Sequence, residues 1–278
     1  MFRRQRTGAV VCPSCGRLVG VNDRECLNCG RKNPGMWGLT GLLRGLGKDA
    51  GFFQLVLSAA ILLYGATLLV DPNGIQSGGL SLLQPSPRSL FAFGASGAVP
   101  VFGYGRWWTI LSAGWLHGGL LHILMNMLWV RQLAPETAEL YGPSRMVIIY
   151  TVSSACGFLL SSVTGAFLPF GGGARFTVGA SAALFGLLAA LVHYGRRAGS
   201  RHIGSQAWSY AIALFVMGFF FPGVDNWAHA GGFAGGYLVS KWLDPLHPER
   251  GDHTLAAVAC LAATALAIAA SLLTTRLR

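Results

Sequence analysis

The sequence predicts an all-α polytopic membrane protein of seven spanning helices preceded by a small zinc ribbon, and three observations predict it. Of the residues, 53% are hydrophobic and only 11% charged, with a mean hydropathy of +0.50, a balance soluble domains seldom show. Seven apolar runs recur, each near the ~20 residues a helix needs to cross the hydrocarbon core. Four of the six cysteines are confined to residues 12 to 29. The net charge of +11 would suit nucleic acid, but Lys and Arg beside apolar runs are better explained by membrane orientation and anionic lipid. Nucleic acid is therefore not expected as a partner.

Residues 1–11 are Arg-rich, and no apolar stretch follows at signal-peptide distance, so the first apolar run, near residue 52, is expected to act as an uncleaved anchor. The N-terminus is then expected in the cytosol. Cys12-Pro13-Ser14-Cys15 and Cys26-Leu27-Asn28-Cys29 are two knuckles, each followed by glycine. Four thiolates at this spacing can close a tetrahedron around zinc, the glycines allowing the tight turn beneath the metal. Two disulfides are the alternative, disfavoured where thiols stay reduced. A ribbon of this size needs its metal to fold, so the zinc is structural and no cofactor is expected for catalysis. Cys156 and Cys260, inside apolar runs, read as inert core.

Residues 33–51 mix Met36, Trp37, Leu39, Leu42, Leu43 and Leu46 with glycines, which suits a linker lying on the membrane surface or a disordered tether. The spans follow at about 52–70, 111–130, 146–169, 178–195, 205–221, 226–243 and 255–273. With the N-terminus inside, cytosolic segments hold sixteen Lys and Arg and outward segments five, an asymmetry that supports this orientation. A loop of some forty residues between the first two spans is rich in Gly, Pro and Ser. A loop that long is usually functional, and its leucines and aromatics suggest that it dips into the bilayer edge.

In this orientation the second, fourth and sixth spans run in one direction, so the depths of their polar residues can be compared. Ser181 and His229 each fall about three residues inside their spans, roughly 5 Å below the outer boundary. His117, His122 and Asn126 fall in the first half of the second span. Ala182, Gly186 and Ala190 form a small-residue stripe on the fourth span, and Ala228, Gly232, Gly236 and Ser240 form one on the sixth. Such stripes let backbones approach closely. If they face each other, Ser181, one residue before its stripe, and His229, one after, fall on the same side of the contact. Ser153, Gly157, Ser161 and Gly165 on the third span read as packing alone.

Each residue also has a plainer reading. A lone serine packs or bonds back to its own helix. A lone histidine can serve an interhelical hydrogen bond, and His122 with Asn126, four apart, can form a structural pair. Matched depth on three codirectional helices favours chemistry. A hydroxyl nucleophile needs a base, and His with Ser is the commonest pairing. With Asp225 only at the mouth of its span, a dyad is expected rather than a triad. The backbone N–H of Ser181 and the side chains of His122 and Asn126 can supply donors for an oxyanion. No His-Glu-x-x-His helix and no pair of intramembrane aspartates is present, which disfavours zinc and aspartyl hydrolases.

His117-Gly118-Gly119-Leu120-Leu121-His122-Ile123-Leu124-Met125-Asn126, Gly179-Ala180-Ser181 and Ala228-His229-Ala230-Gly231-Gly232 together resemble the rhomboid intramembrane serine proteases in order and spacing. The resemblance implies a six-helix core over 52–243, with Ser181 as nucleophile, His229 as base and His122 and Asn126 binding the oxyanion. Gly179 and Ala182 would belong to the same oxyanion and substrate-binding site, and Phe185 and His117 would support it from behind. Residues 1–32 form the cytosolic ribbon, 33–51 the linker, and 244–278 the seventh helix and tail. Substrates would be transmembrane proteins cut near their outer ends. The expected setting is a cell membrane, the inner membrane of a bacterium, with the ribbon free to recruit a protein partner.

The sequence departs from the family pattern at several points. Ala182 stands where glycine is usual after the nucleophile, and Phe185 stands where the aromatic often carries a hydroxyl. Arg106-Trp107-Trp108 displaces the loop's usual Trp-Arg pair, and Glu139 fits the glutamate after the second helix only approximately. A hydrolytically inactive relative that binds or escorts membrane helices is the alternative, favoured by Ala182 alone. A transporter or channel is a further class, suggested by the intramembrane histidines, but no inverted repeat and no continuous polar path supports it.

Overall fold

Residues 5–13, 15–38, 47–78, 82–168 and 172–276 are described in the structure, a computed structural model. Residues 5–13 and 15–38 cover the ribbon and the first residues of the expected linker. Strands β1 (Ala9–Val11) and β2 (Leu18–Gly20) pair antiparallel, Val10 opposite Val19. Both knuckles close in the same way: the N–H of Cys12 donates to Arg17 and that of Cys26 to Arg31, while Gly16 and Gly30 donate back to Cys12 and Cys26. Gly16 and Gly30 sit at φ 73° and 69°, a left-handed conformation that glycine adopts at no steric cost. Much of the expected surface linker, residues 39–46, lies outside the described residues. Asp49 then caps the first helix, its carboxylate accepting from the N–H groups of Gly51 and Phe53.

Seven long helices follow among the described residues: α1 (Phe52–Val70), α4 (Leu120–Tyr141), α5 (Pro143–Phe167), α6 (Ser181–Arg197), α7 (Arg201–Met217), α8 (Asn226–Trp242) and α9 (Gly251–Arg276). The short helices α2 (Pro87–Phe93) and α3 (Thr109–Ser112) lie in the loop between α1 and α4. By length and composition α1, α5 and α9 are suited to cross a bilayer. At 17 residues, α6 is only about 26 Å long, and its side chains are buried almost continuously from Ala182 to Val192. With protein on every side, from α4, α5, α7 and α8, it is the central post of the bundle and need not match the lipid.

The small-residue stripes make the tightest contacts. A Cβ on Gly232 would strike the carbonyl of Ala182, and one on Gly236 would strike Gly186. A Cβ on Gly157 would lie 2.7 Å from that of Ala182, and one on Gly231 2.9 Å from the Gly157 Cα. Helices α5, α6 and α8 therefore touch backbone to backbone, the approach that replaces hydrophobic driving force inside lipid.

The second span differs from expectation. Helix α4 begins at Leu120, not near residue 111, because Leu116 is extended and Gly119, at φ 162° and ψ 167°, is extended too. Residues 109–115 form α3 and a short 3-10 turn instead, and His117 sits in the connection ahead of α4. The long loop is a folded unit. Ser96 and Thr177 exchange backbone hydrogen bonds at 3.0 and 2.8 Å, and the N–H groups of Ala98 and Val99 donate to Ala174 and Arg175. The segment ahead of α6 is thereby stitched to the loop.

Candidate active site

Ser181 is the first residue of α6, not the third of a span. Gly179 sets that boundary at φ 132°, where no helix can run. A Cβ on it would lie 2.7 Å from both Cε1 and Nε2 of His122, so glycine is required twice over, by conformation and by space. As the first helical residue, Ser181 has a backbone N–H with no partner inside its own helix.

Helix α8 brings His229 to it. Asp225 caps α8, accepting at 3.0 Å from the N–H of Ala228, and its other oxygen accepts at 2.5 Å from the Ser161 hydroxyl of α5. His229 is buried, its ring stacked on Phe185 at 4.3 Å and 16°. Its Nε2 lies 2.9 Å from the Ser181 Oγ and its Nδ1 3.2 Å from the Asn226 Oδ1. The carbonyl oxygen of Asn226 can only accept, so Nδ1 carries the proton and Nε2 offers its lone pair to the serine hydroxyl.

His122 is oriented from the other direction. The N–H of Gly118 donates to its Nδ1 at 3.2 Å, which leaves the proton on Nε2, the nitrogen beside Gly179. Asn126 donates from Nδ2 to the carbonyl of His122 at 2.8 Å. His117 is fully buried, its ring 5.4 Å from that of His122. Its two nitrogens have no hydrogen-bond partner among the described residues. The Ala182 methyl, expected near the oxyanion site, instead packs with Ala113, Phe158 and Ala228 and faces Gly157.

Sequence reasoning missed Asn226 and Gly118. Asn226 lies three residues before His229, on the same helical face, a signal that was legible. Gly118 works through its backbone, and no side chain announces it. Arg106, displaced from the usual loop pattern, is buried, and its guanidinium donates to the carbonyls of Phe91 at 2.6 Å and Ser271 at 2.9 Å. Glu139 forms an exposed ion pair with Lys48 at 2.5 Å.

In the ribbon, the four cysteine sulfurs lie within 4.8 Å of one another, with Cys12 to Cys29 at 3.8 Å and Cys15 to Cys26 at 3.6 Å. A tetrahedron with metal–sulfur bonds of about 2.3 Å has edges of about 3.8 Å, so the cluster can hold a metal ion. The thiols influence one another. Burial, reinforced by its neighbours, raises Cys29 to about 12. Burial also pushes Cys15 up, but the Arg17 N–H, Asn28 and the adjacent thiols outweigh it and hold Cys15 at about 6. Four thiolates this close need a cation among them.

A model of the Rhomboid domain matches residues 104–244. RHOMBOID-like protein 7 of Arabidopsis thaliana is 34% identical over 173 residues, 60% of this chain and 52% of that protein. RHOMBOID-like protein 4 of the same plant is 34% identical over 162 residues, 57% of this chain and 39% of that protein. The rhomboid protease GluP of Bacillus subtilis is 31% identical over 215 residues, 76% of this chain and 38% of that protein. The chain thus spans about half or less of the length of these relatives. Because the domain match covers half of the chain and encloses the helices that carry His122, Ser181 and His229, this multi-pass membrane protein belongs to the rhomboid family.

Proposed function

We propose that the protein is an intramembrane serine endopeptidase that cleaves transmembrane proteins with Ser181 and His229. The observation that carries this reading is the 2.9 Å contact between a buried imidazole and a hydroxyl at the first turn of a neighbouring helix. His229 Nε2 takes the Ser181 proton as Oγ attacks the scissile carbonyl, and the Nδ1–H contact to Asn226 stabilises the imidazolium. The oxyanion forms beside the Ser181 N–H, the His122 Nε2–H and the second N–H of Asn126. His229 then returns its proton to the leaving amine, and water, activated by the same nitrogen, releases the acyl group. Phe185 keeps the ring in plane by stacking, a task that needs no hydroxyl. Ala182, the one feature that favours an inactive relative, has its methyl turned into the helix contact.

Residues 52–243 act as the protease core, and residues 1–32 as a cytosolic ribbon that binds structural zinc and recruits a protein partner. The distribution of Lys and Arg puts the ribbon in the cytosol and the dyad near the outer face of a cytoplasmic membrane. The test is a panel of labelled single-span proteins in liposomes: the wild type should cut at least one, near its outer end. Failure to cut any, with the Ser181 hydroxyl unreactive, would remove the endopeptidase reading.

Two further results are expected. Asn226→Ala should lower kcat on the order of tenfold with KM unchanged, since the ring loses its tautomer partner but keeps its Phe185 stack; steady-state cleavage measures it. Cys26→Ser should bring zinc, measured by elemental mass spectrometry, to background, and should hasten proteolysis ahead of α1, because metal binding is this ribbon's folding energy.

A further inference from the structure

We propose that the seventh helix, α9, is a positioning element for the nucleophile, acting through a clasp between Ser271 and the loop residues Arg106 and Trp108. The proposal rests on the protease reading only for its effect on rate.

Ser271 is fully buried and meets the loop with both of its oxygens. Its carbonyl accepts from the Arg106 guanidinium at 2.9 Å, and its hydroxyl accepts from the Trp108 Nε1–H at 3.0 Å while donating to Ala267. Arg106 also donates to the Phe91 carbonyl and lies 4.3 Å above the Phe91 ring. A buried guanidinium is stable only where its donors find acceptors. Here the acceptor is the Ser271 carbonyl of α9, which also accepts from the Thr275 hydroxyl at 2.9 Å. A side chain on Gly94, in the turn after α2, would approach the Ser271 hydroxyl to 2.5 Å, so loop and helix are in close contact. Leu272 joins Leu90, Phe93, Leu116, Phe176 and Val178 in one apolar cluster.

From this clasp a continuous set of contacts reaches the site. The Arg106 carbonyl accepts from the Thr109 hydroxyl at 2.7 Å, and that hydroxyl lies 3.4 Å from the one on Ser96. Ser96 is the residue that exchanges backbone hydrogen bonds with Thr177, and the carbonyl of Ala113, just after α3, accepts from the Gly179 N–H at 3.0 Å. Two residues on stands Ser181. The six-helix core holds His229 directly, through α8 against α6. The backbone turn that presents the serine is held by the loop, and the loop is held by α9.

The test compares Ser271→Ala, which removes the acceptor for Trp108, with Trp108→Phe, which removes the donor and trims the ring that lies 5.9 Å from the Arg106 guanidinium, and with the double variant, all as full chains in liposomes. Hydrogen exchange is read without reference to activity. Peptides covering 94–112 and 172–180 should exchange several-fold faster in both single variants, and α8 should be unchanged. The double variant should show less than the sum of the two single effects, because both singles break the same hydrogen bond. In cleavage assays kcat should fall on the order of tenfold, with KM and the thermal midpoint held, as expected when a nucleophile is misplaced. Exchange equal to wild type in both segments would overturn the proposal. So would additive effects in the double variant, or faster exchange spread evenly over α5 to α8, which would mark general loosening. If neither the variants nor the wild type cleave anything and the Ser181 hydroxyl is unreactive, the protease reading fails, and the exchange data still decide the clasp.

Discussion

Ser181→Ala should abolish covalent labelling by a fluorophosphonate and lower cleavage by about 10⁴-fold or more, with the thermal unfolding midpoint unchanged. Among the described residues the hydroxyl's side-chain hydrogen bond is to His229, and the rest of α6 is held by contacts with four other helices, so the fold keeps its stabilising interactions. What disappears is, among the described residues, the one hydroxyl in hydrogen-bond contact with the imidazole. Residual turnover would come from the oxyanion donors and binding alone. Equal labelling of wild type and variant would show that the probe reacts elsewhere and would remove Ser181 from the mechanism.

Gly232→Ala should cost both activity and stability, because one methyl would be driven into the Ala182 carbonyl. The obstacle is backbone, not the flexible end of a side chain, so α6 and α8 must separate. Overpacking of this kind costs about 1–3 kcal/mol. Separation by even part of an ångström stretches the bond between Ser181 and His229, and a misplacement near 1 Å can cost about 10²-fold in rate. Gly65→Ala in α1, where an added Cβ meets nothing within 4 Å, is the matched control and should keep the wild-type rate with a midpoint at or slightly above the wild-type value, since Ala favours a helix over Gly by about 1 kcal/mol. Probe-labelling rate and thermal midpoint, measured on both, check the pair. A Gly232→Ala protein with unchanged labelling would mean that the helices do not touch there.

Much of this was legible in the chain. Seven apolar runs and the stripes at 182/186/190 and 228/232/236/240 are periodic patterns, and periodicity survives in one dimension because each helix repeats its face every 3.6 residues. The offset of Ser181 and His229 from those stripes was enough to bring the two side chains to one side of the contact. The cysteine knuckles were equally plain, since both pairs and their glycines lie within one short stretch.

The start of α4, the place of Ser181 at its helix boundary and the direction of the Ala182 methyl were not legible, because each depends on what stands opposite. Gly179 must be glycine partly because of the His122 ring, 57 positions earlier in the chain. The Arg106 bond to Ser271 joins residues 165 apart, and nothing in either neighbourhood predicts the other. The sequence by itself determined the membrane class, the long helices among the described residues, the packing stripes and the cysteine cluster, all products of interactions between near neighbours in the chain. Only the tertiary structure decided which ring nitrogens of His122 and His229 face a donor and which an acceptor, and what holds the loop. Those follow from donors and acceptors that meet only once the helices have packed.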